Sequence, residues 1–317
     1  MKEANPVILK LEGGLGNQLF QLAAGYFLAS KLNTDLQLDQ YSIPLTTVHG
    51  ETRNGFEELF INPLPNSKSI LLLDGLPGSR VIALAKRSNF FKKLILKIRI
   101  IRSNKPRLEL FLESNELETT QELLDLGVPH KLHGNFQSWE IVQKASVYGF
   151  PKILRLRVAP EWIKELEKKI VFKNSIVLHF RVGDDTRANY NFKQPDISYY
   201  LTALATLRAR TDFSSIYVLS DDINRVKEMF GERLPSEFQY LEMPDESSPA
   251  ERLYVLSLFG GIVCANSTFC GWAAWSISNS GGDVVVPVPY SDSLVLGSRD
   301  FPPNWIKLDK YSGAEVS

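Results

Sequence analysis

With 317 residues the chain is long enough for two domains of ordinary size, and 44% apolar with 23% charged content fits a well-cored globular protein rather than a disordered one. Lys+Arg and Asp+Glu balance at 36 each, so no global field favours a polyanion, and nucleic-acid binding is not expected.

The N-terminal residues Val7 to Leu11 read as a strand, followed by the turn Gly13-Gly14-Leu15-Gly16. A strongly apolar helix from Leu19 to Ala29 and a short strand from Asp35 to Asp39 complete a βαβ opening. Val7-Ile8-Leu9 is too short an apolar run for a signal peptide, and no stretch is long enough to span a bilayer. Both features predict a cytoplasmic protein. The stretch from Tyr41 to Pro77 is punctuated by Pro, Asn and Gly and reads mostly as loop.

Between Asp74 and Glu109 there are ten basic residues and no acidic one, interleaved with Phe90, Phe91, Leu94, Ile95, Ile98 and Ile101 at helical spacing. A helix of this kind over residues 80–107 fits peripheral contact with an anionic leaflet on the inner face of the plasma membrane. It fits better an apolar stripe packed on its own domain, neutralised by the acidic stretch from Glu109 to Asp125. Helical patterns continue to about Leu126.

A strand follows over Lys131 to Trp139, and Pro151 and Pro160 bracket a crossover. The next units are a strand at 176–180, a helix from Ser198 to Arg210, a strand from Ile216 to Leu219 and a helix from Ile223 to Phe230. A helix from Pro249 to Leu258, a strand from Ile262 to Cys264, a helix from Gly271 to Ser278 and a last strand from Val284 to Val286 complete the pattern. Two successive α/β sets predict two layered, Rossmann-like domains, 1–152 and 153–317, with a cleft between them. Cys264 and Cys270 are too few for a disulfide framework or a metal cluster and read as small buried hydrophobes in a reducing compartment.

Four segments at strand–helix junctions carry chemistry. Gly13 to Gln18 lets the backbone turn tightly and approach a ligand, with Gly14 and Gly16 giving room and Asn17 and Gln18 supplying amide groups. It is neither a dinucleotide fingerprint nor a Walker loop, and Asn17 as a plain helix cap is the simpler reading. The strand at 176–180 ends in His179 and Arg181, then Gly183, Asp184 and Asp185. A forked, always charged guanidinium there suits a diphosphate, or pairs with Asp184 or Asp185. Ser220-Asp221-Asp222 ends the next strand, where a carboxylate can read a guanine edge or cap the following helix. Asn266-Ser267-Thr268-Phe269 opens the helix carrying Trp272 and Trp275, and a helix N-terminus with hydroxyls is an anion site or an ordinary cap. The two tryptophans read as core anchors. The chain has no Asp-x-Asp triplet of the kind that holds a metal-bound diphosphate.

Together these segments resemble the bacterial branch of the α-1,2-fucosyltransferases, glycosyltransferase family eleven. The hallmarks are Gly13 to Gln21, His179-Phe180-Arg181-Val182-Gly183-Asp184, Ser220-Asp221-Asp222, and Asn266 through Trp275; Gly134-Asn135-Phe136-Gln137-Ser138 also matches a family phrase. The matches run in order over most of the chain. The resemblance implies an α/β, GT-B-like fold and an inverting transfer of L-fucose from GDP-β-L-fucose to the 2-hydroxyl of a terminal galactose. The transfer needs no metal and no cofactor, GDP-fucose being the donor substrate.

By the same resemblance Arg181 holds the β-phosphate, His179 and Asp221 or Asp222 meet guanine, and Ser267 and Thr268 meet the diphosphate. Asn17 and Gln18 face the sugar. The family's second Arg is Val182 here. The expected acceptor is a galactose-terminated oligosaccharide or lipid-linked glycan, as in capsule or O-antigen synthesis, met through the N-terminal half and its 41–77 stretch. Candidates for the general base are Asp184 first, then Asp185, His49 and His133. One alternative is a non-catalytic GDP-sugar or glycan-binding protein on the same fold. Another is a nucleotide-sugar epimerase, for which Tyr148 and Lys152 have the right spacing but Pro151 breaks the helix such a pair needs.

Overall fold

The computed structural model describes residues 6–11, 13–39, 58–59, 108–111, 130–183, 193–290 and 301–316. In chain order these form β1 (Val7–Lys10), α1 (Leu15–Lys31), β2 (Leu36–Asp39), β3 (Leu108–Phe111), β4 (His130–His133), α2 (Trp139–Val147) and α3 (Glu161–Lys169). Then come β5 (Ser175–Phe180), α4 (Ile197–Arg210), β6 (Ser215–Ser220), α5 (Ile223–Phe230), β7 (Gln239–Tyr240) and α6 (Pro249–Leu256). The chain closes with β8 (Gly261–Val263), α7 (Thr268–Asn279), β9 (Asp283–Val288) and β10 (Ile306–Asp309).

The strands make two parallel sheets, β2-β1-β4-β3 and β10-β9-β8-β5-β6-β7. The apolar runs expected of strands covered on both faces are the reason: β5 is buried along its whole length. Two layered α/β units are therefore present, as the alternation of patterns predicts.

A helix apolar on every side must be covered on every side. In α1 every residue from Leu15 to Ala29 except Asn17 is buried, and in α7 so is every residue from Cys270 to Ile277. The two helices lie against each other across the junction of the units. The Trp272 indole N–H donates to the Gly16 carbonyl at 2.9 Å, and Phe20, Trp139 and Trp272 pack with ring centroids 4.7 to 5.4 Å apart. Trp272 and Trp275 are core, as expected. Leu154 N–H also crosses, donating to the Ser276 hydroxyl at 3.0 Å.

Several elements differ from the sequence reading. The strand expected over 131–139 stops at His133, Phe136 beyond it takes a positive φ of 48° that no strand allows, and Trp139 instead starts α2. β7 is only two residues long, too short to show alternation. β10 follows the strand expected to be last and pairs with it. Tyr148 ends α2, so no helix joins it to Lys152. Most of the 41–77 stretch, the whole of 80–107 and most of 109–125 lie outside the described residues. Among the described residues no helix is long and apolar enough to cross a membrane.

Candidate functional site

In the larger sheet β5 lies between β6 and β8, all three parallel, so their carboxyl ends share one edge. This is where ligands bind in layered α/β sheets. The register sets Phe180 opposite Ser220 and Leu178 opposite Val263. Three of the four expected segments are thereby brought side by side: His179 to Gly183, Ser220 to Asp222, and Asn266 to Phe269.

The Arg181 guanidinium lies 2.9 Å from Asp221 Oδ2, not on a residue of its own loop that the structure describes. Asp221 also accepts from the backbone N–H groups of Val182 and Gly183, at 2.9 and 3.0 Å. Val182 turns inward and is 3% exposed, packing with Phe180, Tyr199 and Tyr200. A second arginine at that position would bury its charge in an apolar cluster. Asp222 caps α5, its Oδ1 accepting from the Arg225 N–H at 2.9 Å, and its own N–H donates to the Ser220 hydroxyl at 3.1 Å.

His179 is buried and faces the Phe269 ring, with centroids 6.3 Å apart. Tyr200 donates its hydroxyl to the His179 carbonyl at 3.2 Å, and Tyr199 to the Cys264 carbonyl at 2.8 Å. Burial pushes both phenols well above their ordinary range and also pushes the Cys264 thiol up. Both cysteines are free and buried.

Ser267 precedes α7 without a side-chain cap bond, and α7 starts five residues after β8 ends, which sets the positive end of its dipole after that strand's carboxyl end. Asn266 serves structure here: its side-chain amide donates to the Lys193 carbonyl at 2.9 Å and the Tyr290 carbonyl at 3.4 Å. The hydroxyl of the half-buried Tyr290 interacts with the backbone and hydroxyl of Thr268. Tyr290 was not among the sequence candidates; it follows β9 in a segment with no motif.

The fourth segment comes from the smaller sheet. Gly13 has a φ of 77°, and Gln18, buried on α1, donates its amide back to the Gly13 carbonyl at 2.8 Å. Gln18 therefore holds the glycine turn. Asn17 does not cap α1, whose N-cap is Gly14. Its Oδ1 instead accepts from the Thr268 hydroxyl and from the Gln137 amide, each at 3.0 Å. Gly16 lies so close to α7 that an added Cβ would be 2.6 Å from the Phe269 nitrogen. Phe20, Gln137, Trp139, Ser267, Thr268 and Tyr290 border a cleft with about 490 Å³ of empty space, open to solvent.

The arrangement can hold an anion between a fixed guanidinium and a helix N-terminus, with amide and hydroxyl groups from both units alongside. Asp184, Asp185 and His49 lie outside the described residues, as does the side chain of His133. Among the described residues no group of three or more His, Cys, Asp or Glu side chains is placed to hold a metal ion.

The sequence profile of glycosyl transferase family 11 matches residues 7–309. An α-1,2-colitosyltransferase of Escherichia coli is 25% identical, over 96% of this chain and 99% of that protein. Among solved structures, the NodZ α-1,6-fucosyltransferase of Bradyrhizobium, co-crystallised with GDP, superposes with a TM-score of 0.51 at 15% identity, covering 86% of this chain and 92% of that one. A glycosyl transferase family 9 protein of Veillonella parvula gives a TM-score of 0.49 at 10% identity, over 98% of this chain and 88% of its own. The fold is GT-B-like.

Proposed function

The chain belongs to glycosyl transferase family 11, and from that premise we propose that it is an inverting α-1,2-fucosyltransferase, moving L-fucose from GDP-β-L-fucose to the 2-hydroxyl of a terminal galactose. The observation that carries this reading is the convergence of Arg181, Asp221 and the N-terminus of α7 on one sheet edge, facing Asn17 from the other unit.

The acceptor oxygen attacks the anomeric carbon as the carbon–oxygen bond to GDP breaks, and GDP departs with the bonding electrons. Negative charge grows on the β-phosphate. The Arg181 guanidinium and the α7 dipole, with the Ser267 hydroxyl, meet that charge without rearranging, while the Thr268 hydroxyl keeps its proton on Asn17. They supply the counter-charge that a divalent ion gives elsewhere, so turnover is expected to survive EDTA. His179, one residue from the end of β5 and beside Phe269, is the residue we assign to the guanine base. Asp184, which lies outside the described residues, is the base we favour for the hydroxyl proton, an assistance worth roughly 10²–10⁴-fold.

The acceptor is a galactose-terminated oligosaccharide or lipid-linked glycan. Because the Escherichia coli relative is a colitosyltransferase, the colitose counterpart is the second donor to test. GDP release from GDP-fucose, measured with and without a β-galactoside, tests the reading: acceptor-dependent release supports it. Donor binding with no release under either condition favours the non-catalytic alternative.

A further inference from the structure

We propose that Asp221 is a positioning residue, which fixes the Arg181 guanidinium toward the donor diphosphate and does not read the guanine base. Parallel strands set neighbouring residues on parallel exits. With Phe180 opposite Ser220, residues 181 and 221 leave β5 and β6 side by side. The Asp221 carboxylate is then filled from four directions. Oδ1 accepts from the Val182 N–H at 2.9 Å and from the Ser220 hydroxyl at 3.2 Å; Oδ2 accepts from the Gly183 N–H at 3.0 Å and from Arg181 at 2.9 Å. An ionised carboxylate offers about four acceptor positions. A guanine edge needs two of them, and taking two would release either the turn or the arginine.

Two neighbours are shaped to this arrangement. A Cβ on Gly183 would run into Asp221 Oδ2, so a larger residue there would displace the carboxylate from its place over the turn. Val182 is buried in the apolar cluster below the strand end, which pins the backbone between Arg181 and Gly183. Arg181 keeps 30% of its side chain exposed while one nitrogen of its planar fork pairs with Asp221.

This inference rests on Arg181 binding the diphosphate, and the test separates the two claims. Affinity for GDP and for IDP, which lacks the guanine amino group, is measured by calorimetry for wild type, Asp221→Asn, Arg181→Ala and the double variant, alongside kcat and KM. Asp221→Asn keeps one acceptor oxygen and loses the charge. Its kcat/KM falls roughly tenfold to a hundredfold, the loss expected when a reacting group is misplaced. Its preference for GDP over IDP stays at the wild-type value, and the loss nearly vanishes in the Arg181→Ala background because the two residues act as one unit. Asp221→Glu, which restores the charge, is the second variant and recovers part of the lost rate. A collapse of the GDP preference in Asp221→Asn, or losses that add in the double variant, overturns the positioning role. Wild-type GDP affinity and turnover in Arg181→Ala would instead overturn the diphosphate reading beneath it.

Discussion

The Thr268 hydroxyl donates to the Asn17 side-chain oxygen at 3.0 Å, joining the first residue of α7 to the glycine turn of the other unit across 251 positions of sequence. The Gln137 amide takes the same oxygen, so one acceptor atom ties three segments. Asn17→Ala leaves two donors without their partner and costs about 1–3 kcal/mol. Asn17→Asp keeps the acceptor, so it melts near wild type, but it sets a negative charge beside the diphosphate and weakens donor binding several-fold. Melting curves with GDP titrations check both. Equal donor affinity in wild type and Asn17→Asp would show that this residue does not face the donor.

Gly16 faces the backbone of α7 as well as the Thr268 hydroxyl, and backbone cannot give way as a side-chain end can. A Cβ there would sit 2.6 Å from the Phe269 nitrogen and 2.7 Å from the Thr268 carbonyl carbon. Gly16→Ala therefore pushes the N-terminus of α7 away and lowers stability by about 1–3 kcal/mol. Turnover falls with it. Full activity at wild-type stability would mean that the two helices separate freely.

Asp222 caps α5 through the Arg225 N–H. Asp222→Ala loses that cap, about 1 kcal/mol, and changes GDP affinity little. A large, guanine-specific loss of affinity would return Asp222 to the base-reading role that its place after β6 suggests.

Tyr199 and Tyr200 brace the ends of β8 and β5 from below through the Cys264 and His179 carbonyls. Burial raises both phenols well above the ordinary value of 10.0. The native state thus holds protons that the unfolded chain releases. Their contribution to stability is fully present below 10.0 and is lost as pH rises past it toward the folded values. Urea midpoints followed from about pH 8 to about pH 11 should fall more steeply for wild type than for the Tyr199→Phe/Tyr200→Phe variant. Parallel curves would contradict this.

Local signals carried the strand–glycine–helix opening, the apolar runs of β5 and β8, and the polar residues at their ends, because each lies within a few consecutive residues. The partner of Arg181 was not legible in the same way. Asp221 is forty positions on, and only the register of β5 against β6 brings the two together. By residue type Asn17, Gln18 and Asn266 suit ligand groups, with a plain helix cap the simpler reading for Asn17. In the fold Gln18 and Asn266 turn to backbone carbonyls and Asn17 bridges to Thr268, choices set by packing across the junction. Tyr290 left no signal, since it reaches the α7 terminus from a segment without periodicity.

The central claim is most directly tested by transfer from GDP-fucose to lactose, with the linkage of the product determined and Arg181→Ala run in parallel. The expected result is an α-1,2-linked fucosyl product from wild type and a loss of about 10²-fold or more in Arg181→Ala at unchanged melting temperature, the size seen when a single charge-stabilising donor is removed. No transfer from GDP-fucose or its colitose counterpart to any β-galactoside, or a full rate in Arg181→Ala, would contradict it.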